Sequence, residues 1–351
     1  MKILMKNKIL LGFVFVLILL AGCEDFLQED PKNFISPSTF YDTEKDAEAG
    51  VTGIYAALHT CYNGLEGIFS LNYINNEYAF PVIYPEHWSV GFIKFSSDGT
   101  SMVARIWYDF YEVVKRANNF IDNVENREVE YSEELKKRLI AEAKYMRALA
   151  YYNLALVYGD VPLITKSFKA DDDFFVKRNP VEDVWAFVVQ DLISAIADLP
   201  HKSEYTGKNI SRANKEAAKT LLAKVHMINF NWMEAKTAVD EVIASNEYAL
   251  EPNIVDNWRV SNEHGIESIF EIDYGSNFSP NQGTVYFNMT APQNLIHPIT
   301  GKVIKGGWRG AAYTPLFYNL FESKDYRRLE LIYDTARHDG PWGRFFTGKY
   351  F

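Results

Sequence analysis

Ala141-Glu142-Ala143-Lys144-Tyr145-Met146-Arg147-Ala148, then Tyr151-Tyr152, then Tyr158-Gly159-Asp160-Val161-Pro162-Leu163, is the stretch that decides the fold. Around it Leu135, Leu139, Ala143, Met146, Leu149, Tyr152 and Leu156 recur at three- and four-residue steps. That period predicts a helix over 133–158 with one apolar face. Gly159 caps it and Pro162 cannot continue it, so the chain must turn there.

Working outward, the same period returns on both sides. Val184, Val188, Leu192 and Ile196 predict a helix over 181–199. The most regular pair follows: Ser211 as N-cap of a helix to about 229, and a partner over 232–245. Leu222, Ala223, His226, Ala235, Val239 and Val242 take the small and large packing positions of a tetratricopeptide unit. One such hairpin cannot bury its face alone and needs neighbours. The segments 133–158 with 181–199, and 42–58 with 101–124, read as looser units of the same kind. Asp42-Thr43 is the predicted cap of the first. His226 falls on a packing face and reads as a core histidine. The connector 165–179 reads as polar. Its Asp171-Asp172-Asp173 lacks the alternation and later Glu of a calcium loop and is expected to be solvated.

Between and after the helices lie irregular excursions. Gly64, Gly67, Pro81, Pro85, Gly91 and Gly99 punctuate 61–100, and aromatic density there argues against disorder. Phe270, Ile272 and Tyr274 alternate with Glu271 and Asp273, predicting a short strand. Residues 275–312 are loop-rich, and 315–322 reads as one more short helix. The fold class is therefore mostly α: tetratricopeptide-like repeats with long irregular excursions and a few short strands.

The N-terminus is of a different kind. Lys2, Lys6 and Lys8 precede an apolar run over 9–20, the layout of a secretory signal. As a helix that run reaches only about 18 Å, short of the ~30 Å hydrocarbon core. Leu20-Ala21-Gly22-Cys23 reads as a lipobox, so residues 1–22 are expected to be removed and Cys23 lipidated. At ~0.8 kcal/mol per buried CH₂, two or more acyl chains anchor a protein firmly. The mature domain is expected over 23–351, with Glu24, Asp25, Glu29 and Asp30 in an acidic tether. Removing three lysines leaves 33 basic against 46 acidic residues, a formal charge of −13. That balance argues against a phosphate-binding face, so no nucleic acid is expected, and attachment to a membrane should come from the lipid alone. Cys61 is the only other cysteine, which precludes an internal disulfide or thiolate cluster and suits a buried structural thiol. No cofactor or metal site is expected.

The quoted stretch, Cys23-Glu24-Asp25-Phe26-Leu27 with Asp30-Pro31, Phe40-Tyr41, Gly53-Ile54-Tyr55, the 217–243 hairpin, Glu267-Ser268-Ile269-Phe270-Glu271 and Phe321-Glu322 with Asp325 and Arg327 occur in one order. In that order and spacing the chain resembles the SusD/RagB family of Bacteroidetes outer-membrane lipoproteins. The resemblance implies a helical scaffold under a layer of excursions, facing the cell exterior. It also implies a lid on a TonB-dependent (SusC-like) transporter that captures oligosaccharide or peptide and does no chemistry. Family members usually continue beyond the segment that Lys349-Tyr350 resembles, so the chain reads as C-terminally incomplete. The acidic tether resembles the family's signal for surface export.

Sugar capture needs aromatic faces to stack on pyranose rings and polar groups for the hydroxyls. The candidates are Tyr84 and Trp88 in one excursion, and Tyr274, Asn277, Trp308 and Arg309 in the other, with Trp88 foremost. A rival reading is a lipoprotein glycosidase using Glu271 and Asp273, which a strand would hold about 6.8 Å apart. No nucleophile elbow, zinc-binding His pair or phosphate loop supports it. A third reading is pure assembly, with the repeats docking a partner.

Overall fold

The computed structural model describes residues 40–62, 68, 79–81, 102–274, 295–296, 303–304, 311–325, 327, 332–334 and 345–347. Among the described residues six long helices carry the fold: α1 (Glu44–Tyr62), α2 (Met102–Val124), α3 (Glu133–Tyr158), α4 (Val181–Asp198), α5 (Lys215–Ile228) and α6 (Trp232–Ala244). A short α7 spans Pro315–Asn319. Each long helix packs on the next in sequence, α1 on α2 through to α5 on α6, and α1 also touches α3. That is the one-dimensional stacking of a helical-repeat protein.

Helix α3 is the centre. Leu139, Ala143, Met146, Ala150 and Leu154 are buried, and so are Ala141, Tyr145, Ala148 and Tyr151 on its other sides. Ser132 caps it by accepting the Leu135 N–H at 3.2 Å. Gly159 ends it at φ 68° and ψ −117°, a conformation open to glycine. The expected stripe is wrong at one place: Leu156 is exposed. Three buried charged residues, Lys136, Glu142 and Arg147, sit among the apolar ones. Arg147 donates to both Asp191 oxygens, at 2.7 and 2.8 Å, and to Asn118 Oδ1 at 2.6 Å. This tripod joins α3 to α4 and α2. Burial raises the Asp191 carboxyl from its ordinary value, and the Arg147 guanidinium opposes that rise.

Helices α1 and α2 run antiparallel, since Tyr41 meets Phe120 near one end and Tyr62 meets Phe110 near the other. Gly50 makes the close approach: a Cβ there would lie 2.6 Å from the Tyr41 ring and 3.1 Å from Phe120. Thr43 caps α1, accepting the Asp46 N–H at 3.2 Å, as Asp42-Thr43 predicts. Cys61 is buried and free, its thiol pushed up by desolvation.

Differences from the sequence reading are local. Helix α5 begins at Lys215 with Asn214 as its cap, not at Ser211. Asn214 Oδ1 accepts the Ala217 N–H at 2.9 Å while its amide donates to Ile269 O at 2.9 Å. Ser211 lies beyond a 3₁₀ turn over Gly207–Asn209. On α6 the contact face is narrow, with Ala235 and Ala238 buried and Val239 exposed. Residues 270–274 form no strand; they run irregularly, with Phe270 and Ile272 packed on the helical core. Without a partner strand the alternation alone creates no ladder.

The strands that are described lie elsewhere. β1 (Ala79–Pro81), β4 (Ala311–Tyr313), β5 (Ile332–Asp334) and β6 (Phe345–Thr347) form an antiparallel sheet in the order β1-β4-β6-β5. β2 (Leu295–Ile296) and β3 (Val303–Ile304) form a two-stranded one. The 61–100 and 275–312 excursions thus carry short strands.

Candidate functional site

The irregular segment 269–274 lies against the helices with a cleft on each side. The first cleft, about 440 Å³, is lined by Thr52, Tyr55, His59 and Thr60 of α1, by Lys208, Ser211 and Arg212, and by Glu271 and Asp273. The second, about 550 Å³, lies between Tyr62, Tyr145 and Leu221 on one side and Phe270 and Tyr274 on the other.

Tyr274 is the candidate ligand residue that the described structure contains. Its hydroxyl donates to His59 O at 2.8 Å, and its ring leans on the His59 ring with centroids 4.0 Å apart. Burial raises its phenol from the ordinary value. The hydroxyl therefore serves the fold, while the ring edges a cleft. Cys23, Tyr84, Trp88, Asn277, Trp308 and Arg309 lie outside the described residues, as do residues 1–22.

The first cleft rests on a charged floor. Glu142 Oε2 accepts from Tyr55 Oη at 2.9 Å and from Arg212 at 2.8 Å. Arg212 also pairs with Glu48, which pairs with Arg138. Burial raises the Glu142 carboxyl, and Arg212 and Arg138 counter it. Tyr55 closes the floor by accepting the Ala213 N–H at 2.7 Å. These groups hold one another, which makes the floor rigid.

At the rim, Glu271 and Asp273 face neither each other along a strand nor open water alone. His264 stands between them, Nδ1 at 3.4 Å from Glu271 and Nε2 at 3.1 Å from Asp273. Its φ is 58°. Lys202 clamps the turn beneath by donating to His264 O, Gly265 O and Ser268 O at 3.0, 2.8 and 2.6 Å.

A third cleft, about 520 Å³, opens between α2 and the connector after α3. Trp107, Tyr111, Phe168 and Phe174 line it, with Lys115, Asn119 and Lys166 at its edges. The connector is less polar in effect than its composition implies, since Phe168, Phe174 and Phe175 are exposed. Phe168 and Phe174 bracket the aspartate run, with ring centroids 5.2 Å apart. Two aromatics in a charged linker were the signal that the polar reading passed over. Asp171, Asp172 and Asp173 are exposed, as expected.

Helical repeats under an irregular, cleft-bearing layer define a protein of the tetratricopeptide-like class. Residues 25–227, more than half of the chain, match the SusD-like family described as starch-binding and associating with the outer membrane. The chain belongs to this family. It is 29% identical over 324 residues to SusD-like protein P25 of Formosa agariphila, covering 89% of this chain and 59% of that protein. A SusD-like protein of Bacteroides ovatus is 28% identical, over 78% of this chain and 51% of the relative. The chain thus spans under two thirds of the length of either. Among solved structures, a laminarin-binding SusD-like protein matches with a TM-score of 0.78 at 25% identity, over 88% of this chain and 72% of that one. Surface glycan-binding protein A of Bacteroides thetaiotaomicron, solved with laminarihexaose, shares the fold with a TM-score of 0.70 at 19% identity, over 88% of this chain and 70% of that one. Among the described residues no helix is long and apolar enough to cross a membrane.

Proposed function

We propose that this protein is a cell-surface glycan-binding lipoprotein that captures oligosaccharide and passes it to a TonB-dependent outer-membrane transporter. The likeness to a laminarin-binding relative carries the reading. Lipid on Cys23 holds the protein to the outer membrane, facing outward. Tyr84, Trp88, Tyr274 and Trp308 offer aromatic faces to sugar rings, and Asn277 and Arg309 bond their hydroxyls. The open clefts beside segment 269–274 support a ligand surface on this layer. The exposed Trp232, Met233 and Ile243 of α6 supply an apolar surface for the transporter. No catalytic step is assigned to any residue.

Calorimetry over a glycan panel that includes laminarihexaose tests the reading. Binding to at least one glycan, weakened at least roughly tenfold in Trp88→Ala, is the expected result. No binding to any glycan, together with co-purification of a transporter, would leave assembly as the function. Hydrolysis of a glycan that Glu271→Gln abolishes would make it an enzyme.

A further inference from the structure

We propose that His264, Glu271 and Asp273 form a binding site for a divalent cation of the zinc class. One ligand atom from each lies within 4.8 Å of the others. The hydrogen-bond logic of the imidazole points the same way. Glu271 Oε2 is fixed by the His264 backbone N–H at 3.0 Å and faces Nδ1 of the same residue at 3.4 Å. In the tautomer that carries its ring proton on Nδ1, toward Glu271, Nε2 is the bare nitrogen. That pairing of carboxylate and imidazole is what sets the tautomer of a metal-binding histidine.

Nε2 then faces Asp273 Oδ1 at 3.1 Å. In that tautomer the Nε2 and Oδ1 lone pairs are held together by a cation placed between them. A cation about 2.0–2.2 Å from each atom bridges that separation with an angle of about 95°, which zinc-class ions accept. Imidazole with carboxylate favours such an ion over calcium or magnesium, which prefer oxygen throughout.

The site is built and reachable. Lys202 holds the turn that carries His264 through three carbonyl groups, so the backbone of the site is set without metal. Asp273 is exposed, and both acids line the first cleft, which gives an ion its way in. The rival occupant of the same place is a proton, making an imidazolium clamped by two carboxylates. The inference is independent of the glycan reading, because its readout is metal alone.

Zinc chloride titrated into the full chain by calorimetry decides the matter, with Cys23→Ser so that this thiol does not compete. One saturable site per chain is expected. Asp273→Asn should weaken it at least tenfold, and so should His264→Asn, since asparagine tolerates the left-handed backbone. Glu271→Gln, which removes the partner of Nδ1, should weaken it roughly 10- to 100-fold. Calcium chloride should give no binding that depends on His264. Circular dichroism checks that each variant keeps its helices. Absence of a saturable zinc site in the unsubstituted triad overturns the proposal, whatever the variants do. Zinc affinity unchanged from the parent in folded Asp273→Asn and His264→Asn overturns it as well.

Discussion

Arg147 and Glu142 stand in the eight-residue stretch whose order first suggested the family, and both turn out to be buried charges. Their role is to join helices. Sequence alone showed that they belonged to a pattern, but not that their partners would be Asp191 and Arg212, which lie 44 and 70 residues away. Such pairings depend on which helix faces pack, and periodicity does not supply that. Arg147→Met strands the Asp191 carboxylate and should cost about 3–5 kcal/mol in urea unfolding. The double variant Arg147→Met with Asp191→Leu should recover much of the loss, because no unpaired charge remains. The same limit explains segment 269–274. Alternation of Phe270, Ile272 and Tyr274 correctly separated inward from outward residues, yet inward faces serve coil as well as strand. The link from His264 to Glu271 and Asp273 was invisible because the histidine reaches them through a turn with no motif.

At the scale of elements, boundaries were legible where capping chemistry is unambiguous. Glu133–Tyr158 came out as expected because Ser132 and Gly159 leave the backbone little choice. Gly159→Ala would force a side chain onto φ 68° and ψ −117°, and should lower stability by about 1–3 kcal/mol in thermal melts. Asn214 was missed as the cap of α5, with Ser211 nearby offering equal propensity. Only the tertiary bond to Ile269 O separates them. Asn214→Ala should therefore cost about 1–2 kcal/mol, while Ser211→Ala should fall within about 0.5 kcal/mol of the parent. A larger effect at Ser211 would contradict this placement of the helix start. The packing register of α6 is hard to read from sequence, since Ala235 and Ala238 form so slim a face that neighbouring Val239 is left outside.

For the molecule as a whole, the helical stack and the place of its excursions were readable from period and punctuation. The ligand candidates were not resolved in the same way, because aromatic residues in loops plug cores and bind ligands with the same chemistry. Tyr274 shows the first use, its hydroxyl tied to His59 O while its ring edges a cleft. Cooperative burial gives one further expectation. Cys61 lies in the α1–α2 interface with its thiol pushed up by desolvation, so the fold must open before it reacts. In the Cys23→Ser protein, labelling by a disulfide reagent should be on the order of a hundredfold slower natively than in denaturant. Comparable rates would mean that this interface opens freely.

The antiparallel clasp of α1 and α2 has a consequence for how such a protein can change over time. Gly50, Tyr41 and Phe120 lock the two helices, so Tyr62 and Met102 are held by the scaffold however the chain between them is written. Doubling the length of a flexible insertion adds only about 0.6 kcal/mol of closure entropy. Lineages can thus vary the length of the chain between Tyr62 and Met102 at little cost to the clasp, provided β1 keeps its pairing with β4.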